Sequence, residues 1–115
     1  MRRRLAYSAA ALLLGGAFGA SAADGPAVTL TLKSHRFTPA EITVPADQKV
    51  RVTLINQDPA TEEFDSHDLR VEEVVTPNAR ISFWIGPLKP GVYSFMGEFH
   101  AATAQGKVTA VAQGR

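Results

Sequence analysis

Apolar and polar residues alternate in short runs along most of this chain, and the runs are separated by turn residues. Val28-Thr29-Leu30-Thr31-Leu32-Lys33 alternates strictly, with Val28, Leu30 and Leu32 inward. Lys49 to Asn56 reads as a half-buried strand, and Arg80 to Ile85 as another, with Ile81, Phe83 and Ile85 on one face. Glu41 to Val44, Gly91 to Phe95 and Lys107 to Val111 are shorter runs of the same kind. Pro39 and Pro45 flank the Glu41 run, which confines it to an edge. Pro77-Asn78, Gly86-Pro87 and Pro90-Gly91 supply turns. No helical period competes with this pattern. The prediction is an all-β protein, a Greek-key β-sandwich or barrel of about seven strands.

The first residues follow a different rule. Arg2, Arg3 and Arg4 precede an apolar or small stretch from Leu5 to Phe18, and Ala20-Ser21-Ala22 fits an A-x-A cleavage site. Residues 1–22 are therefore expected to be a cleaved secretory signal peptide; the apolar run is short for a spanning helix. Export predicts a periplasmic protein, with no transmembrane anchor after cleavage. The leader also changes the charge. The whole chain of 115 residues carries a formal +1. Without the three leader arginines it has 9 bases against 11 acids, a net −2. No nucleic-acid footprint remains.

The chain contains no cysteine. Disulfides, thiolate zinc sites, iron–sulfur clusters and a copper–thiolate bond are all excluded. Ser34, Ser66, Ser82 and Ser94 show no nucleophile elbow or triad context, although Ser66 adjoins His67. No catalytic residue is assigned.

Two places break the alternation. Asp58 to Glu73 holds seven of the eleven acids against one base, Arg70, with His67 in the middle. Such a run reads as a solvated loop, or, with its imidazole, as part of a metal site, because clustered carboxylates repel one another unless a cation offsets them. Met96-Gly97-Glu98-Phe99-His100 places a thioether, a carboxylate and an imidazole directly after a strand. His35 stands in Lys33-Ser34-His35-Arg36 between two bases, which disfavour a cation, so it is expected to be a surface residue. The metal candidates are His100, His67, Glu62, Glu98 and Met96.

Phe37-Thr38-Pro39-Ala40-Glu41-Ile42-Thr43-Val44-Pro45 resembles the opening strand of cupredoxins. Lys49 to Asn56 resembles the strand before their first ligand loop. Pro90 to Phe95, His100 and Gly106-Lys107-Val108-Thr109 resemble their closing loop and last strand. The resemblance implies a cupredoxin-like domain over residues 27–113. Laid on the family's closing motif, Tyr93 and Phe95 match, Gly97 stands at the cysteine position and His100 at the second histidine. The axial methionine has no counterpart. Strand alternation points Met96 away from the side Gly97 faces. Either Glu62 or His67 falls on the first histidine position, depending on register.

Glu62-Glu63-Phe64-Asp65-Ser66-His67-Asp68-Leu69 with Gly97-Glu98-Phe99-His100 is similar to the EfeO-type cupredoxin-like domains of bacterial ferrous-iron uptake. That likeness implies a non-blue periplasmic protein binding copper or iron, acting with an inner-membrane iron permease or a periplasmic iron-binding partner, with copper-assisted oxidation of Fe2+ as its proposed chemistry. The competing functions are copper handling unrelated to iron, and a metal-free acidic module docking a basic partner. The metal reading requires His100 to converge with Glu62 or His67 at one end of the fold.

Overall fold

A computed structural model describes residues 25–114; the predicted leader lies outside them. Among the described residues, nine strands form two sheets. In chain order they are β1 (Ala27–Lys33), β2 (Arg36–Thr38), β3 (Glu41–Pro45), β4 (Val50–Asn56), β5 (Glu62–Ser66), β6 (Val71–Val75), β7 (Arg80–Ile85), β8 (Gly91–Gly97) and β9 (Gln105–Val111). One sheet runs β2-β1-β4-β7 and the other β3-β9-β8-β5-β6. The β1–β4 and β3–β9 pairs are parallel, and the remaining pairs are antiparallel.

Period-two patterning explains why the sheets face each other. Leu30, Leu32, Val50, Val52, Leu54, Phe83 and Ile85 are buried on the inner side of the first sheet. Ile42, Val44, Phe64, Phe95, Val108 and Ala110 are buried on the inner side of the second. Four phenylalanines bridge the layers. Phe64 packs on Phe95 with ring centres 4.8 Å apart and meets Phe83 at 4.9 Å, while Phe37 sets its edge against Phe95 at 5.1 Å. Offset and edge-on pairs of this kind add to the area buried.

The predicted strands are present, and the count rises from about seven to nine for a definite reason. Asp58 to Glu73 is not a loop throughout: it contains β5, most of β6 and the turn between them. The inward positions of β5 are Glu62, Phe64 and Ser66. Two of those three are polar, so the alternation is invisible in hydropathy. β2 is only three residues long. It is closed onto β1 by the two-residue turn Ser34-His35, with Lys33 opposite Arg36. Both turn residues are left-handed, with φ of 53° and 58°, the conformation that lets a two-residue hairpin follow the strand twist. Neither is a glycine, so the turn needs outside support.

Candidate metal centre

That support comes from the segment after β4. Asp58 is 5% exposed. Its Oδ1 accepts the Ser34 N–H at 2.6 Å and its Oδ2 accepts the His35 N–H at 2.9 Å. Asp58 is itself held, because its N–H donates to Asn56 Oδ1 at 3.0 Å. The Asn56 amide donates to the carbonyls of Ala60 at 2.8 Å and Thr76 at 3.1 Å. From the other side, Thr103 Oγ1 donates to the His35 carbonyl at 2.7 Å. Burial of Asp58 works to raise its pKa. The two backbone donors, then the nearby His35 and His100 rings, outweigh that effect and leave it below the ordinary carboxylate value.

Glu62 opens β5 and points inward, 1% exposed. An ionised carboxylate at such a site is costly unless it is fully hydrogen-bonded, and its partners are present. Oε1 accepts the Phe99 N–H at 2.7 Å and the Glu63 N–H at 3.0 Å, and Oε2 meets His100 Nδ1 at 2.7 Å. Gly97 makes the space. A Cβ placed there would lie 2.6 Å from Glu62 Cδ, so the carboxylate fills the room in front of the family's cysteine position.

His100 ends a short 3-10 turn, Glu98–His100, that leaves β8. Its carbonyl accepts the N–H of Thr103 and Ala104 at 3.1 and 2.9 Å. The His35 and His100 rings stack face to face, with centres 3.6 Å apart and planes within 9°. One ligand atom from each of His35, Glu62 and His100 lies within 4.8 Å of the others. His35 Nδ1 is also 3.5 Å from Asp58 Oδ2.

The structure therefore brings together two of the five sequence candidates, Glu62 and His100. The other three lie elsewhere. His67 is exposed in the His67–Arg70 turn, at the end of β5 away from Glu62. Met96 is exposed on the outer side of β8, directly opposite Asp65 of β5. His67 and Met96 both line an open groove of about 510 Å³ on that outer side. Glu98 is exposed beside Asp65. A shared hydrogen bond with Asp65, the charge of Asp65, partial desolvation and the charges of Glu63 and Glu72 all raise its pKa. Glu63, Asp65 and Glu72 form a separate acidic group with carboxylate oxygens within 4.8 Å of one another.

His35 differs from the sequence reading in its surroundings: its side chain is 41% exposed, yet the ring stacks on His100 beside Glu62. The basic neighbours Lys33 and Arg36 are both exposed, whereas the His35 ring faces Asp58 and His100. A Ser-His pair with no glycine in a tight hairpin was the only local sign, and it becomes legible only with Asp58 in place.

A family model for the cupredoxin-like domain matches residues 5–110. The chain belongs to the cupredoxin-like domain family. An uncharacterized Rickettsia prowazekii protein, RP394, is 46% identical over 79 residues, covering 69% of this chain. The matched region spans 63% of that relative's length. Among solved structures, the metal-binding domain of the Streptococcus pneumoniae Cu(I)-exporting ATPase CopA, determined with Cu(I), superposes with a TM-score of 0.67 at 15% identity. That match covers 75% of this chain and 85% of the domain. Auracyanin A, a blue copper protein of Chloroflexus aurantiacus, gives a TM-score of 0.64 at 13% identity over 74% of this chain and 98% of its own. At such identities the likeness establishes the cupredoxin fold.

Proposed function

We propose that this cupredoxin-like protein binds a metal ion, copper foremost, through His35, Glu62 and His100. The observation that carries the reading is the convergence of two imidazoles and a buried carboxylate from three separate segments at one end of the sandwich. Two nitrogens and one oxygen without a thiolate suit Cu2+, and the same two-histidine, one-carboxylate set suits Fe2+. The residues fit such an ion in one arrangement: with Nδ1–H of His100 donated to Glu62, the free Nε2 faces away from that carboxylate, so Glu62 ligates only where the ion replaces this proton, while His35 Nδ1 lies 3.5 Å from Asp58 Oδ2. The stacked rings hold their nitrogens side by side, so one imidazole has to turn for both to reach a single ion. Copper held here would supply one-electron redox chemistry without the colour of a thiolate site.

The reading extends to location and role. The leader supports export to the periplasm, and the EfeO-type likeness supports service in ferrous-iron uptake, with iron as cargo and an iron permease or periplasmic iron-binding protein as partner. The acidic group of Glu63, Asp65, Glu72 and Glu98 favours a second reading, docking of a basic partner without metal. Titration of the purified protein with Cu2+ and, separately, Fe2+ decides between them. Saturable binding that His100→Ala and Glu62→Gln each abolish is the expected result; binding unchanged in both variants overturns the site. Partner capture that survives a chelator favours the second reading. Oxidation of Fe2+ by the copper-loaded protein no faster than by free Cu2+ removes the redox part alone.

A further inference from the structure

The two sheets differ sharply in charge. The strands of the β2-β1-β4-β7 sheet contain Lys33, Arg36, Arg51 and Arg80 and no acid. The strands of the other sheet contain Glu41, Glu62, Glu63, Asp65, Glu72 and Glu73 and one base, Lys107. The basic sheet also carries Trp84, the only tryptophan of the chain. Its indole stands on the outer side of β7, 49% exposed. Lys49 Nζ lies 5.8 Å above the ring. Across the sheet Trp84 is paired with Arg51, and Arg51 with Ala27, so indole, guanidinium and the start of β1 share one row. The next row is flat and polar, with Thr53 and Ser82 hydroxyls 3.1 Å apart. Asp47, in the turn before Lys49, is outnumbered by Lys49, Arg51 and Arg80.

We propose that the outer face of this sheet, centred on Trp84, docks on an anionic lipid surface. An indole is amphipathic and settles at the level of lipid headgroups, and lysine and arginine beside it meet the phosphates. Each base near such a surface contributes about fivefold in affinity. The opposite sheet is repelled by the same headgroups, so the charge difference orients the molecule as well as holding it. Pro26 joins this row, its carbonyl accepting the Arg51 N–H at 3.0 Å. The surface is independent of the metal centre, which lies at the other end of β1 and β4.

Because Trp84 is the sole tryptophan, its fluorescence reports on this face alone. The apolar stretch Leu5 to Phe18 has its own affinity for lipid, so sedimentation with vesicles is not a sufficient readout. The full-length protein is mixed with phosphatidylglycerol-containing vesicles and, separately, with phosphatidylcholine vesicles. The expected result is a blue shift of Trp84 emission and quenching by brominated lipid on the anionic vesicles only, both reduced by salt. Lys49→Gln and Arg51→Gln should each weaken the response roughly fivefold, with circular dichroism confirming the fold. Unshifted, unquenched emission from vesicle-bound wild-type protein overturns the proposal, whatever the variants do. An equal shift on phosphatidylcholine overturns it too. A shift that grows with protein concentration in the absence of lipid assigns the face to a second copy of the chain instead.

Discussion

The β1–β2 turn and the β5–β6 turn each place a histidine at the tip of a hairpin, and the two residues end in opposite surroundings. His35 stands between Lys33 and Arg36, yet its ring lies against the buried Asp58 and stacks on His100. His67 stands among acids, yet it is exposed, and its turn is fastened elsewhere. Asp68 Oδ2 accepts the Ser94 N–H at 3.0 Å, and Ser66 Oγ donates to the Ser94 carbonyl at 2.6 Å. The charge of sequence neighbours therefore says little about what an imidazole meets. What decides is the partner delivered by another strand: Asp58 and Glu62 reach the histidine pair, and no carboxylate of the acidic run fixes His67 in a comparable way.

The largest test of this contrast is metal affinity. His35→Ala and His100→Ala should both remove Cu2+ binding measured by calorimetric titration, while His67→Ala leaves it unchanged. If His67→Ala abolishes binding and His35→Ala does not, the comparison is inverted. Asp58 sharpens it. Asp58→Ala deprives two left-handed turn residues of their acceptor, and should lower stability in urea by about 1.5–3 kcal/mol, the range for hydrogen bonds to a charged group. The same change should weaken metal binding roughly 10–100-fold, as expected when a partner that orients a ligand is lost. Equal loss of stability with full affinity would make Asp58 a fold residue only.

Smaller effects come from pH. Asp58 and Asp68 are both held below the ordinary carboxylate value; for Asp68 the causes are the Ser94 N–H and hydroxyl, then partial desolvation opposing them, then the charge of His67. A lowered folded pKa gives stability that is present above the unfolded value, about 3.9 for aspartate, and is lost as pH falls through the lower folded value. Urea midpoints followed below pH 4 should thus drop, and Asp68→Asn should flatten the drop. Glu98 has the opposite sign. Its raised pKa gives stability that is complete below about 4.3, the unfolded glutamate value, and is lost as pH rises through the folded value. Glu98→Gln should raise the thermal midpoint slightly at pH 7 and have no effect at pH 3.5. A destabilised Glu98→Gln at neutral pH would mean the carboxylate is paired rather than crowded.

Most of the fold can be read from residues alone, because Val28 to Lys33, Val50 to Asn56 and Arg80 to Ile85 carry their inward side in the alternation itself. β5 is hidden because its core positions include Glu62 and Ser66, whose burial depends on N–H and carbonyl partners in the 3-10 turn and β8. The centre divides the same way. Glu62 and His100 are reachable through the cupredoxin likeness, which sets His100 on a ligand position and leaves Glu62 and His67 as alternatives for another. His35 is not, because its placement is set by Asp58, 23 residues away, and by Thr103, 68 residues away. Met96, offered as a ligand, lies on the outer side of β8 as strand alternation implies, and takes no part in the group.

Gly97 has a consequence for anyone wishing to rebuild a blue centre in this scaffold. A thiol cannot simply be installed at that position, since its first carbon would collide with the acid already lodged there. The same carbon would also lie 2.8 Å from Ala104 Cβ, so cysteine at 97 needs room made at both 62 and 104.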